Sequence, residues 1–126
     1  MAKQLITDHD SIVLLVDSFY AKARKDELIG PIFNEVIGDD WDKHLPTMYR
    51  FWGDILLNTH EYEGNPMVVH KQLNMRIPLE PAHFERWKKL FVETVWELFE
   101  GDKAELAAQR AVSIATVMQL KIAGYQ

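Results

Sequence analysis

Apolar residues recur every three or four positions along most of this chain and almost nowhere alternate, so the pattern predicts helices and hardly any strand. Ile12, Val13, Leu15, Val16, Phe19, Tyr20 and Ala23 fit the 3.6-residue period over Ser11 to Lys25, with Thr7, Asp8 and Asp10 as available caps. Gly30-Pro31 interrupts the chain, and Pro31 opens a short turn of helix through Phe33 to Ile37 that Gly38 stops. The next stripe, Trp41, His44/Leu45, Met48, Phe51/Trp52 and Ile55, predicts helix from Asp40 to Asn58. After the polar loop NTHEYEG, Asn65 is a good cap and Pro66 a good first residue for a short helix carrying His70. NMRIPLEP reads as extended or irregular, because Pro78 and Pro81 disfavour helix at the residues before them. A long helix follows from Pro81, with Phe84, Trp87, Phe91, Val95 and Leu98 as its stripe and Gly101 as its end. Asp102 caps the last helix, Lys103 to Ala123, whose expected apolar face is Leu106, Ala111, Ile114, Val117, Met118 and Leu120. There is no internal repeat, low-complexity stretch or linker, and the expected architecture is one all-α domain spanning residues 1–126.

Composition narrows the function classes. A net charge of −5 argues against nucleic acid, whose phosphates require a basic face. No apolar run approaches the length of a membrane span, and MAKQLITDHDS lacks a secretory apolar region, so the expected location is cytoplasmic. The absence of cysteine excludes disulfides, thiolate metal sites and thioether-linked haem. A cofactor would be held by other ligands and by shape. No heptad seam marks the exposed faces, so the default expectation is a monomer.

The five histidines, His9, His44, His60, His70 and His83, include no pair three or four apart, so no helix face offers a chelating zinc pair. Glu80 and His83 form a single E-x-x-H; a di-iron bundle needs two, and Pro81 places this one at a helix start. His9 and His60 lie in polar surroundings and read as surface residues. Taken singly, His44, Tyr20 and Trp87 are simplest as core residues at helical spacing. Together they are more informative, because three long apolar stripes each carry one polar handle: the Tyr20 hydroxyl, the His44 imidazole and the Trp87 N–H. A buried donor without a partner costs roughly 1–3 kcal/mol, and several around one cavity suit a small polar ligand in apolar surroundings. His70 stands about one turn into its helix, where the carbonyl of Pro66 could accept its Nδ1 proton and leave Nε2 for a metal. One histidine in an otherwise apolar pocket suits haem iron.

The segments FYAKARKDELIGPIFN, WDKHLPTMYRFWGDILL, YEGNPMVVHKQL and HFERWKKLFVETV, in this order, closely resemble the group III truncated haemoglobins. The similarity runs from Ile12 to Met118. Its strength lies in the register FY…PIF…W-x-x-H…FW…Y-x-G-x-P-x-x-x-H…RW-x-x-LF rather than in any single motif. The resemblance implies a two-over-two helical sandwich enclosing non-covalent haem b, with His70 as proximal iron ligand. It implies Tyr20, His44 and Trp87 on the distal side, and Phe33, Met48, Phe51, Trp52, Leu73 and Ile77 around the porphyrin. Arg76 would reach a propionate. The implied ligands are O2, NO and CO. Tyr20 and Trp87 would be the main donors, while His44 could donate to ligand, swing outward as a gate or bind iron itself. NO dioxygenation with an electron-donating reductase, weak peroxidase chemistry, and a non-catalytic oxygen or NO sensor or buffer all remain open at this level. A haem-free helical interaction module is the reading that a missing His70 or missing pocket aromatics would favour, and they are all present.

Overall fold

The computed structural model describes residues 3–65, 70 and 77–123, and the helices predicted from periodicity are there. They are α1 (His9–Ala23), α2 (Gly30–Ile37), α3 (Trp41–Leu57), α4 (Pro81–Leu98) and α5 (Asp102–Ala123). Asp8 is the cap that α1 uses: its carboxylate accepts from the backbone N–H of Ser11 at 3.0 Å. Pro31 stands in the first turn of α2, Gly38 closes it at φ +57°, and Asn58 ends α3 in the left-handed region. Pro46 lies inside α3, where it lacks the N–H that would otherwise bond back to Asp42.

The helices form two pairs. α1 lies against α3, α4 runs along α5, and the pairs meet where α1 crosses α4 and α3 touches α5. This is the two-over-two arrangement. α1 commits one face to the interior: Ile12, Leu15, Val16, Phe19, Tyr20 and Ala23 are all buried. α4 does the same with Phe84, Phe91 and Val95, and the buried Thr94 hydroxyl is satisfied by the Leu90 carbonyl at 2.7 Å.

Two expectations change. The buried face of α5 keeps the expected Ala111 and Met118, with Leu106 and Ile114 packed partly buried beside them, but it is built chiefly from small residues that were not expected, Ala104, Ala107, Ala108 and Ala115. Val117 and Leu120 are exposed, at 47% and 69%. Alanines at i, i+3, i+4, i+7 and i+11 let α5 lie close against its neighbours, and a reading weighted by side-chain size undervalues them. The second change is at the end of α4. Phe99 does not continue the helix to Gly101; it turns extended and pairs with Gln4. Gln4 donates to the Leu98 carbonyl at 3.0 Å and accepts from the N–H of Glu100 at 2.9 Å, which seats Ile6 in the core. The carbonyl of Gly101, rather than the side chain of Asp102, then receives the first bond of α5, from Glu105.

Two further ties fix the ends of the pairs. Lys103 donates to the carbonyl of Leu56 at 2.6 Å, a cation on the open carboxyl end of α3. Asp26 accepts from the backbone N–H groups of Leu28 and Ile29 and from Arg86 on α4 at 2.7 Å, joining the turn before α2 to α4.

Candidate functional site

An apolar cavity of about 370 Å³ opens between the helix pairs. That is within the usual size of a small-molecule site. α1, α2, α3, α4 and α5 all contribute to its wall, as does His70. The side chains with a polar atom among the described lining residues are few: Tyr20, His44, Thr47, Trp52, Tyr62, His70, His83 and Trp87. No carboxylate, lysine or arginine lines it among the described residues.

Tyr20 and His44 meet directly. The hydroxyl of Tyr20 lies 3.1 Å from Nε2 of His44, and the two rings are edge to face at 5.4 Å. Burial raises the Tyr20 phenol far above its ordinary range and lowers the His44 imidazole, so both are neutral at neutral pH. Trp41, one turn before His44, packs edge-on against both rings, and Arg24 stacks over it at 4.4 Å from the ring centre. The buried Nε1–H of Trp41 has no acceptor among the described residues.

Trp87 is held by stacking. Its ring lies 16° from parallel with Phe91, which in turn stacks on Trp52 at 4.4 Å. Phe19 abuts Tyr20, Trp87 and Phe91 edge-on, so one phenylalanine of α1 sets the relation between the two donor-bearing rings. No described residue accepts from the indole N–H of Trp87.

Of the residues singled out in the sequence, Tyr20, Phe33, His44 and Met48 line this cavity, as do Phe51, Trp52, His70 and Trp87. Ile77 is half-buried and is not among the lining side chains. Leu73 and Arg76, with Pro66 and the rest of the short helix apart from His70, lie outside the described residues. His70 itself is helical and half-buried.

Besides Thr47, two polar lining residues were not assigned to the site from the sequence. Tyr62 reaches the cavity because Asp54 folds the preceding loop. Its carboxylate accepts from the Thr59 hydroxyl, the Glu61 N–H and the Tyr62 N–H, at 2.6, 2.6 and 2.8 Å, and Tyr62 packs edge-on against Phe51. In the sequence this loop reads only as polar, and the Asp54-to-Tyr62 bond spans too many residues to be a turn signature. His83 is the second. Its Nδ1 accepts from the backbone N–H of Glu80 at 2.9 Å at the start of α4, which turns the ring toward the cavity. The E-x-x-H spacing was the available signal, and it encodes a cap rather than a chelate.

No family model matches the chain. It is 36% identical over 115 residues to the group 3 truncated haemoglobin ctb of Campylobacter jejuni, covering 89% of this chain and 88% of that one. The crystal structure of the group III truncated haemoglobin from Campylobacter jejuni superposes with a TM-score of 0.88 at 34% identity, covering 99% and 98% of the two chains. At that identity and coverage, with the same paired helices around a cavity, the chain belongs to the group 3 truncated haemoglobin family.

Proposed function

We propose that this protein binds haem b in the cavity, with His70 as its axial ligand, and takes up O2, NO or CO on the side lined by Tyr20, His44 and Trp87. The observation that carries the reading is the convergence of these polar side chains on one otherwise apolar cavity. The donor set fits the group. No cluster of three or more His, Cys, Asp or Glu among the described residues could hold a bare metal ion, whereas haem iron brings its own four nitrogens and needs one protein ligand. Three described histidines line the cavity, His44, His70 and His83. His44 has its Nε2 against Tyr20, and His83, with Nδ1 already accepting, keeps the proton on Nε2. His70 is the one that stands at the axial-ligand position of the family's motif.

When bound, haem iron supplies an open coordination position for a diatomic ligand. Phe33, Met48, Phe51 and Trp52 would exclude water from it, and Arg76, outside the described residues, would serve a propionate as the resemblance implies. The protein's work on the ligand is hydrogen bonding. Tyr20 and His44 share a single bond that can run either way. With His44 in the Nε2–H tautomer, His44 donates to the phenol oxygen and the phenol proton remains for the ligand; in the other tautomer that proton is spent on His44. A ligand carrying negative charge selects the first. Trp87 adds an indole N–H fixed by its stack. Two such donors hold a charged oxygen ligand strongly, which suits redox chemistry on it, such as NO dioxygenation supported by a reductase, better than its release.

The test is the visible spectrum after stoichiometric haemin, reduction and CO. A sharp Soret band that shifts with CO is expected for the wild-type protein, and its loss in His70→Ala. A spectrum like free haemin for the wild-type protein would overturn the reading. Low-spin ferrous bands before CO would replace the open position with an internal ligand.

A further inference from the structure

The two haem propionates pose a charge problem that the axial ligand and the distal donors do not solve, and the resemblance gives Arg76 to only one of them. Haem carries two carboxylates, and a carboxylate at the edge of an apolar cavity is costly unless water or a hydrogen-bond donor meets it. No lysine or arginine is among the described lining residues. His44 is committed to Tyr20, and His70 is assigned to iron. His83 is different. It is half-buried, so its ring touches both the cavity and the surroundings, and no described residue bonds its Nε2. Because Nδ1 accepts a backbone N–H, the proton of the neutral ring resides on Nε2. The start of α4 thus fixes both the direction of the ring and its donor.

We propose that the Nε2–H of His83 is a carboxylate-binding group of this cavity, receiving one haem propionate. This rests on the haem reading above. The backbone bond to Glu80 serves as the orienting element, so His83 caps the helix through one nitrogen and binds the cofactor through the other. The Leu79 and Phe84 side chains beside it are buried against Ala115 and Met118, which gives the ring a fixed floor.

The two nitrogens can be tested separately, because Asn places a polar atom near the Nδ1 position and Gln near that of Nε2. Haemin affinity is read from Soret titration of wild-type protein, His83→Asn and His83→Gln, with haemin and with haemin dimethyl ester in the same dilute detergent. His83→Asn keeps an acceptor for Glu80 and loses the donor. It is expected to bind haemin roughly five- to tenfold more weakly than wild type, with His83→Gln, which keeps the donor but gives up the orienting bond, falling between the two. With the dimethyl ester, which carries no carboxylate charge, the difference should vanish. Helix content by circular dichroism identifies any loss due to folding. Equal affinities for haemin in all three proteins would overturn the proposal. So would an Asn–Gln difference in the opposite order, or one that persists with the ester. If the wild-type protein itself forms no Soret complex, the haem reading falls, and this inference falls with it.

Discussion

Trp87 shows how much of a side chain's role is set by its neighbours. Its ring is one member of the Trp87–Phe91–Trp52 stack, and phenylalanine would keep an aromatic ring there while giving up the N–H and part of the indole's area. Trp87→Phe should therefore leave the fold intact and speed O2 dissociation about five- to thirtyfold, the loss of one donor worth on the order of 1–2 kcal/mol. Stopped-flow mixing of the oxygenated protein with CO measures this, and an unchanged rate would take Trp87 out of the ligand's hydrogen-bond set. At this scale the sequence was legible where a residue combines an apolar body with a polar tip on a long stripe, as Tyr20, His44 and Trp87 do. His83 and Tyr62 were not legible, for two different reasons. His83 is set aside in the sequence as a lone E-x-x-H at a helix start, and nothing there shows the Glu80 backbone bond. Tyr62 depends on Asp54, eight residues away, reaching across a loop with Asn58 and His60 at positive φ.

Among the described helices, α2 is the shortest and the most dependent on its approach. An added Cβ on Gly30 would stand 2.7 Å from the Arg24 carbonyl oxygen and 3.1 Å from that of Ala23, both backbone atoms at the end of α1 that cannot swing away. Gly30→Ala should push α2 off α1 and destabilise the protein by roughly 1–3 kcal/mol. Phe33, one turn on, would move with it and loosen the cavity wall. A urea midpoint equal to wild type would show that the turn relaxes without cost. Helix positions were the most legible feature of the sequence because each of the long ones carries a full apolar stripe. α5 is the exception in detail: its period was clear, yet its buried face is built from alanines, whose small size is a packing asset that a hydrophobicity pattern cannot weigh. The break at Phe99 was illegible for a related reason, since its cause is Gln4 at the other end of the chain.

For the whole molecule, acid stability should fall in two separate stages. Burial lowers the His44 pKa from its ordinary value of 6.5, so the unfolded chain takes up that proton first. The stability linked to neutral His44 is complete above pH 6.5 and is lost as pH falls through the lowered value. Asp26 moves in the same direction for a different cause: its carboxylate is held below the ordinary 3.8 by the Leu28 and Ile29 N–H groups and by Arg86, against the opposing effect of burial. Its contribution is complete above 3.8 and fades only as pH falls through that lower value. Urea midpoints measured from pH 8 to pH 3 should show both declines, with the upper one removed in His44→Gln. An upper decline that survives that substitution would assign it to another histidine.

The bridge between Gln4 and Phe99 also bears on how the protein is made. A ribosome adds about 5–20 residues each second, so Phe99 is synthesised roughly 5–20 s after Gln4. For that interval the first turns of the nascent chain have neither their hydrogen-bonding partners at Leu98 and Glu100 nor the pocket for Ile6. Residues 4–6 must wait unattached while α1, α3 and α4 are produced, and they lock only once Glu100 has been made. Translation past Glu100, more than any early nucleus, is then what closes this corner of the core.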